Sequence, residues 1–230
     1  MPTGKDKIWV VVPAFNEGPV IGSVVAELLS TPYRVVFVDD ASTDDTAEIL
    51  SQSNVDVCSH VVNLGQGAAL GTGIAYALKK GADYIVTFDS DGQHRVGDIA
   101  SLLEPLQSGR CGVVLGSRFA AGGEASNMPW LRRVMLRLAT WYSRASTGMK
   151  LSDTHNGLRA FSREAACRVT ICQNGMSHAS EILSEIHRHK IRYAEVPVTI
   201  RYTDYSLQKG QSMANAFNIL WDSLMGLFRR

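Results

Sequence analysis

The sequence predicts an α/β protein with a mostly parallel sheet and helices on both faces of the sheet. Short β-branched runs alternate with stretches of helical periodicity along the first half of the 230-residue chain, and this alternation is typical of parallel sheets. Polar or charged residues also follow four of the predicted strands. Ligands bind beyond the carboxyl ends of the strands in such sheets, so we expect the functional site there.

The predicted strands are short apolar runs, and the predicted helices carry apolar residues at helical spacing. Strands are expected at 8–13, 34–39, 57–62, 84–89 and 112–116. Helices are expected at 19–29, 71–80 and 96–106. A further helix is expected to begin at the N-cap Ser42, because acidic residues follow it where the first turn would lie.

The composition is typical of a soluble globular protein. The chain holds 23 Lys and Arg, 22 Asp and Glu, and 45% hydrophobic residues. No apolar run approaches the roughly 18 to 20 residues that span a bilayer, and no signal peptide opens the chain, so we expect a cytoplasmic protein. The four cysteines lack zinc-ligand or redox spacing and are expected to be free thiols, mostly buried.

The charges are divided unevenly between the two halves of the chain. Residues 1–109 hold 6 basic and 14 acidic residues, whereas residues 110–230 hold 17 basic and 8 acidic residues. This division suits carboxylates that hold a cation in the first half and a basic surface for phosphates or an anionic membrane in the second half. Two ordinary solvated surfaces would explain the same division equally well.

Two acidic segments follow predicted strands. The turn from Asp89 to Asp91 places two carboxylates close together, and with Gln93 as a further oxygen ligand they suit a hard cation such as Mg²⁺ or Mn²⁺. A solvated turn without a ligand would have the same sequence. Asp39 and Asp40 stand where carboxylates accept hydrogen bonds from ribose hydroxyls or from base N–H groups.

Two stretches of the basic half are predicted to form amphipathic helices with aromatic residues. One covers 130–142 and carries Arg132 and Arg133, and the other covers 215–230. Helices of this type lie in membrane interfaces. They also pack on a domain core or on a second subunit, so the sequence leaves contacts with a membrane surface, a homodimer partner or a membrane protein open.

Together these segments resemble the family 2 glycosyltransferases, nucleotide-sugar enzymes with the GT-A fold. The matching motifs lie at 12–17, 38–44, 63–67, 89–94, 116–118 and 153–159. Two positions depart from the family pattern. Phe15 stands where Tyr is usual, and Gln66 stands where many members have Lys, which removes a direct charge contact from that loop to the diphosphate.

Within the family, the chain looks most like polyprenyl-phosphate sugar synthases of the dolichyl-phosphate mannose synthase type. That resemblance implies an inverting transfer of one sugar from a nucleotide-sugar donor, GDP-mannose or a UDP-hexose, to a polyprenyl phosphate. It also implies Mg²⁺ or Mn²⁺ as cofactor and peripheral attachment to the inner, cytoplasmic face of the membrane. We expect a single domain, with 1–117 as the nucleotide-sugar-binding half and 118–230 as the acceptor and membrane-interface half.

The resemblance implies a role for each matching residue. Glu17 and Asp40 would contact the nucleoside, while the metal and the donor diphosphate would be held by Asp89, Asp91 and Gln93. The anionic phosphates would be received by Arg118, one of Arg132 or Arg133, and Arg201. Further substrate contacts are expected from Pro13, Ala14, Asn16, Gly67, Ser90 and, in a loop over the donor, Lys209.

Asp153 distinguishes two kinds of acceptor. The catalytic residues implied by the resemblance are Asp91, Arg118 and Asp153. A phosphate monoester is ionised near neutral pH and needs positioning, whereas a carbohydrate hydroxyl in polysaccharide or glycan assembly needs a general base, which Asp153 would supply.

A nucleotide-sugar sensor without turnover is a further alternative. Nucleic-acid binding is not expected, because the acidic strand ends would interrupt a phosphate track.

Overall fold

The structure, a computed structural model, describes residues 7–126, 128–202 and 205. The strands in these ranges are β1 (Ile8–Ala14), β2 (Arg34–Asp39), β3 (Asp56–Ser59), β4 (Tyr84–Thr87), β5 (Val113–Ser117), β6 (Glu124–Ser126), β7 (Arg159–Ser162), β8 (Tyr193–Pro197) and β9 (Thr199–Arg201). The helices are α1 (Gly18–Leu29), α2 (Thr46–Ser51), α3 (Gln66–Lys79), α4 (Ile99–Gln107), α5 (Trp130–Thr147), α6 (Arg163–Arg168) and α7 (His178–Arg188). A 3-10 turn, Val96–Asp98, precedes α4.

Seven of the strands form one sheet in the order β3-β2-β1-β4-β7-β5-β8. The first four strands run parallel to one another, and β5 is parallel to β8. Strand β7 lies antiparallel to both of its neighbours, β4 and β5. The mostly parallel sheet is confirmed, but β7 was missed because its four residues include Arg159 and Ser162 and do not form a long apolar run. Strands β6 and β9 form a separate pair.

Helices cover both faces of the large sheet, as the sequence predicts. Val10 and Val12 of β1 belong to one apolar cluster, to which α1 and α4 contribute. Trp9 and Val11 belong to the cluster on the other face, to which α3 and α7 contribute. Successive residues of a strand point to opposite faces, so an unbroken apolar strand such as β1 requires cover on both sides.

Two helix starts differ from the prediction. Helix α2 begins at Thr46 and not after Ser42, because the Ser42 hydroxyl accepts a hydrogen bond from the Asn16 N–H (3.0 Å). Helix α3 begins at Gln66, five residues before the predicted start at 71. Gly65 precedes it with φ 99°, a conformation that favours glycine and lets the chain turn directly into the helix.

The cysteine prediction is correct in one respect and wrong in another. All four cysteines are free thiols. Only Cys111 is buried and Cys58 is half-buried, whereas Cys167 and Cys172 are exposed because they lie at the end of α6 and in the segment that follows it. Within the described ranges, no helix has the length and apolar character needed to cross a bilayer.

Gly73 sets the distance between α3 and β1. A Cβ atom at this position would lie 2.3 Å from Val11 Cγ1 and 3.1 Å from Val38 Cγ2, while a Cβ at Gly71 on the same helix would meet nothing within 4 Å. We expect Gly73→Ala to lower the free energy of unfolding by about 1–3 kcal/mol through overpacking. Gly71→Ala should raise it by up to about 1 kcal/mol through helix propensity. Urea denaturation of both variants checks this, and equal stability would contradict the proposed contact.

Candidate active site

Carboxylates gather beyond the carboxyl ends of β1, β2 and β4. Glu17 follows β1 and is buried, Asp40 follows β2 and is buried, and Asp89 and Asp91 follow β4. Parallel strands bring these ends to the same edge of the sheet. The polar strand ends of the sequence therefore line one edge of the folded protein.

Asp40 organises the glycine-rich loop before α3. Its Oδ1 accepts a hydrogen bond from the Leu64 N–H (2.9 Å), and its Oδ2 accepts one from the Gly65 N–H (2.7 Å). His60 Nδ1 lies 2.6 Å from the same Oδ1, and the other ring nitrogen lies 2.9 Å from Thr72 Oγ1. Both carboxylate oxygens of Asp40 are therefore bonded to groups of the protein itself, and this structural role was not predicted from the sequence. The nucleoside contact of Asp40 stays a prediction.

Gly67, a predicted substrate contact, lies against the segment before α7. Its N–H donates to the Asn174 carbonyl oxygen (2.7 Å). A Cβ at this position would lie 2.0 Å from the Gln173 carbonyl oxygen. The structure therefore requires a glycine here for packing.

The turn after β1, which contains Asn16 and Glu17, is hydrogen-bonded to the segment after β2. The Asn16 Oδ1 accepts a hydrogen bond from the Thr43 N–H (2.8 Å), and the Glu17 N–H donates to Thr46 Oγ1 (2.8 Å). The hydroxyl of Tyr205 donates to Glu17 Oε2 (2.8 Å). This contact places Tyr205, four residues before Lys209, beside the turn after β1.

The predicted contacts at the end of β1 are joined to the acidic turn. Pro13 and Ala14 are buried in β1. The Ser90 hydroxyl donates to the Pro13 carbonyl oxygen (2.7 Å). This bond fixes the turn that carries Asp89 and Asp91 against the neighbouring strand.

The two carboxylates of the acidic turn titrate differently. His94 Nε2 lies 3.0 Å from Asp89 Oδ2, and Gln66 Nε2 donates to Asp89 Oδ1 (3.1 Å). Burial tends to raise the pKa of Asp89, but its hydrogen bond and charge interaction with His94 lower it below the ordinary value. Burial and the negative charge of Asp89 raise the pKa of Asp91 to about 6.

The acidic turn fits a divalent cation through its donor chemistry. The Gln93 side-chain amide donates to Asp91 Oδ2 (2.7 Å), so these two predicted metal ligands adjoin each other. The third, Asp89, is close enough for its charge to raise the pKa of Asp91. A cation would relieve the repulsion between the two carboxylates. Within the described residues, no three His, Cys, Asp or Glu side chains form a metal site by themselves. Mg²⁺ commonly takes one or two carboxylates and completes its shell with substrate phosphates and water.

The loop before β7 packs directly on Asp89. A Cβ at Gly157 would lie 2.1 Å from Asp89 Oδ2, and the Gly157 carbonyl oxygen accepts a hydrogen bond from Thr87 Oγ1 (2.7 Å). Arg159, which begins β7, is buried, and its Nη2 donates to the Thr154 carbonyl oxygen (3.4 Å). Burial lowers the pKa of Arg159 to about 10, while the negative charges of Asp89 and Asp153 oppose this shift.

Arg118 and Asp153 form a buried ion pair. Arg118 Nε donates to Asp153 Oδ2 (2.6 Å), and both side chains are buried. The remaining guanidinium nitrogens donate to the Tyr202 hydroxyl (2.8 Å) and to the His155 carbonyl oxygen (3.0 Å). The carboxylate of Asp153 is therefore engaged by a cation and is not positioned as a free base.

Glu195 holds the loop that carries Asp153, a role that was not predicted from the sequence. Its Oε1 accepts hydrogen bonds from the N–H groups of Ser152 (2.8 Å) and Asp153 (3.2 Å). Its Oε2 accepts from the Ser152 hydroxyl (3.0 Å). In the sequence, Glu195 is distinguished only as the charged residue that precedes the mostly apolar run 196–200.

The other predicted cations are only partly described. Arg133 on α5 and Arg201 on β9 are exposed. The Arg201 N–H donates to the Gln93 carbonyl oxygen (3.0 Å), which brings β9 beside the acidic turn. The side chain of Arg132, together with Lys209 and the predicted helix at 215–230, lies outside the described residues.

Comparison with known sequences identifies relatives along most of the chain. The sequence profile described as Glycosyl transferase family 2 matches residues 9–170. An uncharacterised protein of Methanocaldococcus jannaschii is 37% identical, over 96% of this chain and 92% of that protein. A UDP-N-acetylglucosamine–dolichyl-phosphate N-acetylglucosaminyltransferase of Methanococcus voltae is 32% identical, over 95% of each chain. The polyprenol monophosphomannose synthase of Mycolicibacterium smegmatis is 26% identical, over 87% of this chain and 79% of that one.

Solved structures share the fold. A crystal structure of glucosyl-3-phosphoglycerate synthase from Mycobacterium tuberculosis with Mn²⁺, UDP and glucosyl-3-phosphoglycerate has a TM-score of 0.67 and 22% identity, covering 86% of this chain and 71% of that one. The complex of the same enzyme with UDP has a TM-score of 0.70 and 21% identity, covering 92% and 75%. This likeness confirms the predicted GT-A fold.

We expect Glu195→Gln to destabilise the protein. The amide has only one acceptor oxygen, so its N–H groups would face a backbone N–H donor, and the hydrogen bonds to the charged Glu195 carboxylate would be lost. We expect this to lower the free energy of unfolding by about 2–3 kcal/mol. Glu164→Gln is the matched control, because Glu164 forms an exposed pair with Arg168 and should change the stability by less than about 1 kcal/mol. Thermal unfolding compares the two variants, and similar melting temperatures would argue against a stabilising role of the Glu195 hydrogen bonds.

His155 should make the stability pH-dependent. Burial lowers the pKa of His155 to about 4, with the cations of Arg159 and Arg118 acting in the same direction and Asp153 opposing them. Between about pH 6.5 and pH 4 the unfolded chain binds a proton at this ring and the folded chain does not, so stability is lost as the pH falls through this window.

The measurement is urea unfolding at pH 7 and pH 5. His155→Gln should reduce the loss of unfolding free energy between these pH values by about 2 kcal/mol relative to the wild type. The exposed His187 provides the control His187→Gln, which should lose as much stability as the wild type. An unchanged pH dependence in His155→Gln would show that this ring is not the titrating group.

Proposed function

The chain belongs to glycosyl transferase family 2, and we propose that it transfers a sugar from a nucleotide-sugar donor to a polyprenyl phosphate. The donor would be GDP-mannose or a UDP-hexose. The relatives named for transfer to dolichyl phosphate and for polyprenol monophosphomannose synthesis support this acceptor. We place the reaction at the cytoplasmic face of a membrane, to which the protein would attach peripherally.

The observation that carries this proposal is the exposed apolar stripe on α5. The stripe consists of Trp130, Val134, Leu138 and Trp141, which are 75%, 43%, 54% and 69% exposed. At 3.6 residues per turn these four positions fall within an arc of about 80°. A stripe with two tryptophans and flanking arginines suits the interface of a membrane, where a polyprenyl phosphate would present its headgroup.

The pairing of Asp153 favours a phosphate acceptor over a carbohydrate hydroxyl. A hydroxyl acceptor would need a free base, and the carboxylate of Asp153 is bound to Arg118 at 2.6 Å. A phosphate monoester carries its own negative charge and needs cations that position it. Arg201, together with Arg132 or Arg133, would supply those cations beside the Arg118–Asp153 pair.

The acidic turn would bind the donor diphosphate through a cation. Asp89 and Asp91, with Gln93 beside them, would hold Mg²⁺ or Mn²⁺. Such a cation neutralises the charge that the nucleoside diphosphate gains as a leaving group. In-line attack of the acceptor phosphate on the anomeric carbon inverts its configuration, so an α-linked donor would give a β-linked lipid product.

The nucleoside would lie along the ends of β1 and β2. Glu17 and Asn16, fixed by the segment after β2, line this end together with Pro13 and Ala14. Tyr205 lies above them through its hydrogen bond to Glu17. This arrangement supports a nucleoside site next to the acidic turn.

The test is lipid labelling with purified protein. Polyprenyl phosphate, Mn²⁺ or Mg²⁺ and a panel of radiolabelled nucleotide sugars are incubated with the protein, and label in the organic phase is counted. One donor should label the lipid. Asp91→Asn should lower the rate at least a hundredfold, and a chelator should abolish it, because transition-state charge would no longer be neutralised.

Asp56→Asn is the control, since Asp56 is an exposed carboxylate at the start of β3, and this variant should retain the wild-type rate. Label that enters only a glycan acceptor would overturn the lipid assignment and return Asp153 to the role of base. Donor binding without turnover in either assay would indicate a sensor.

A further inference from the structure

A cleft beside α5 adjoins the loop that carries Asp153 but is lined by none of the predicted site residues. It has a volume of about 300 Å³ and lies between α5 and the turn after β5. Its walls combine two arginines, two aromatic rings and two hydroxyl side chains: Phe119, Arg137, Thr140, Trp141, Arg144 and Ser152. The guanidinium of Arg118 is not among the lining groups, because it is directed at Asp153, Tyr202 and His155.

The cleft presents the positive charge of two arginines. Arg137 and Arg144 are seven residues apart on α5, so they lie on the same side of the helix two turns from each other. Arg144 Nε donates to the Leu151 carbonyl oxygen, which fixes its guanidinium. Among the described residues, no carboxylate forms an ion pair with either arginine. Two arginines in this arrangement suit a phosphate group.

The same cleft adjoins the apolar stripe of α5. Trp141 belongs to both, since it lines the cleft and is 69% exposed on the stripe. An anion bound here would therefore have an apolar surface beside it. Amphipathic molecules whose phosphate is attached to hydrocarbon chains match this combination, and tryptophan is the side chain that favours the headgroup level of a bilayer.

We propose that this cleft binds the phosphodiester headgroup of an anionic membrane phospholipid. Arg137 and Arg144 hold the phosphate, and Trp141 packs against the adjoining glycerol and upper acyl chains. The bound lipid fixes the orientation of α5 on the membrane, next to the site where the acceptor phosphate reacts. The inference rests on the proposed membrane contact of α5 and not on sugar transfer itself.

The experiment measures binding of the full chain to sedimented vesicles at 0.15 M salt. One vesicle population is pure phosphatidylcholine, and the other contains phosphatidylcholine and phosphatidylglycerol at a ratio of 7:3. R137Q/R144Q should lower the partition coefficient on the anionic vesicles roughly 30-fold, as expected for two cations at an anionic surface. Its binding to neutral vesicles should stay within about twofold of the wild type, since the stripe is intact.

Two further variants distinguish a specific phosphate site from general electrostatic attraction to the anionic vesicles. R137K/R144K keeps the charge but loses the planar fork that binds phosphate in a bidentate manner, so we expect roughly a fivefold to tenfold loss on anionic vesicles. R110Q/R192Q removes two arginines from a cleft at the opposite ends of β5 and β8, and it should bind like the wild type. Wild-type binding by R137K/R144K would overturn the proposal, as would an equal loss in R110Q/R192Q.

A transfer assay distinguishes the phospholipid from the acceptor as the source of the phosphate. In neutral detergent, R137Q/R144Q should show the wild-type KM for polyprenyl phosphate. A KM that rises as much as vesicle binding falls would assign the cleft to the acceptor and overturn the proposal. If the wild type labels no lipid but the vesicle results hold, the proposed function fails while the phospholipid site stands.

Discussion

The antiparallel strand β7 is the constraint on which the candidate site depends. It lies between β4 and β5, and its first residue, Arg159, pairs with Thr87 and with Leu115. Because β7 runs against its neighbours, its amino end lies where their carboxyl ends lie. The loop at 153–158 is thereby placed between the acidic turn after β4 and the turn after β5. A parallel strand at this position would have taken that loop to the other edge of the sheet.

This placement also brings charged residues of the two halves together. At this edge the buried Arg159 of the second half interacts electrostatically with Asp89 of the first half and with Asp153, while Arg118 pairs with Asp153 within the second half. Buried charges are tolerated when partners and hydrogen bonds satisfy them. Glu195 contributes by holding the backbone of the loop. Most buried charges of the site therefore have a partner of opposite charge or hydrogen bonds. The exception is the pair Asp89 and Asp91, whose mutual repulsion a bound cation would relieve.

The sequence predicted the parts of this arrangement that depend on local pattern. Buried strands such as β1 are continuous apolar runs, and the residues that follow them are polar, so the α/β class and the edge that carries the site could be predicted. The role of Glu195 depends on contact with a loop 43 residues away in sequence. Ser42 has the chemistry of an N-cap but bonds to Asn16, 26 residues earlier. The acidic side chain of Asp40 indicated ligand binding, and its function in holding the glycine-rich loop requires tertiary contacts that local pattern does not contain.

We propose that the edge of the sheet beside β7 holds the donor diphosphate and its cation. The most direct measurement is a crystal structure with Mn²⁺ and a nucleoside diphosphate, with anomalous scattering used to locate the metal. We expect one Mn²⁺ peak within bonding distance of Asp89 or Asp91 and of diphosphate oxygens, with the nucleoside along the ends of β1 and β2. A metal peak elsewhere, or a nucleotide bound away from this edge, would contradict it.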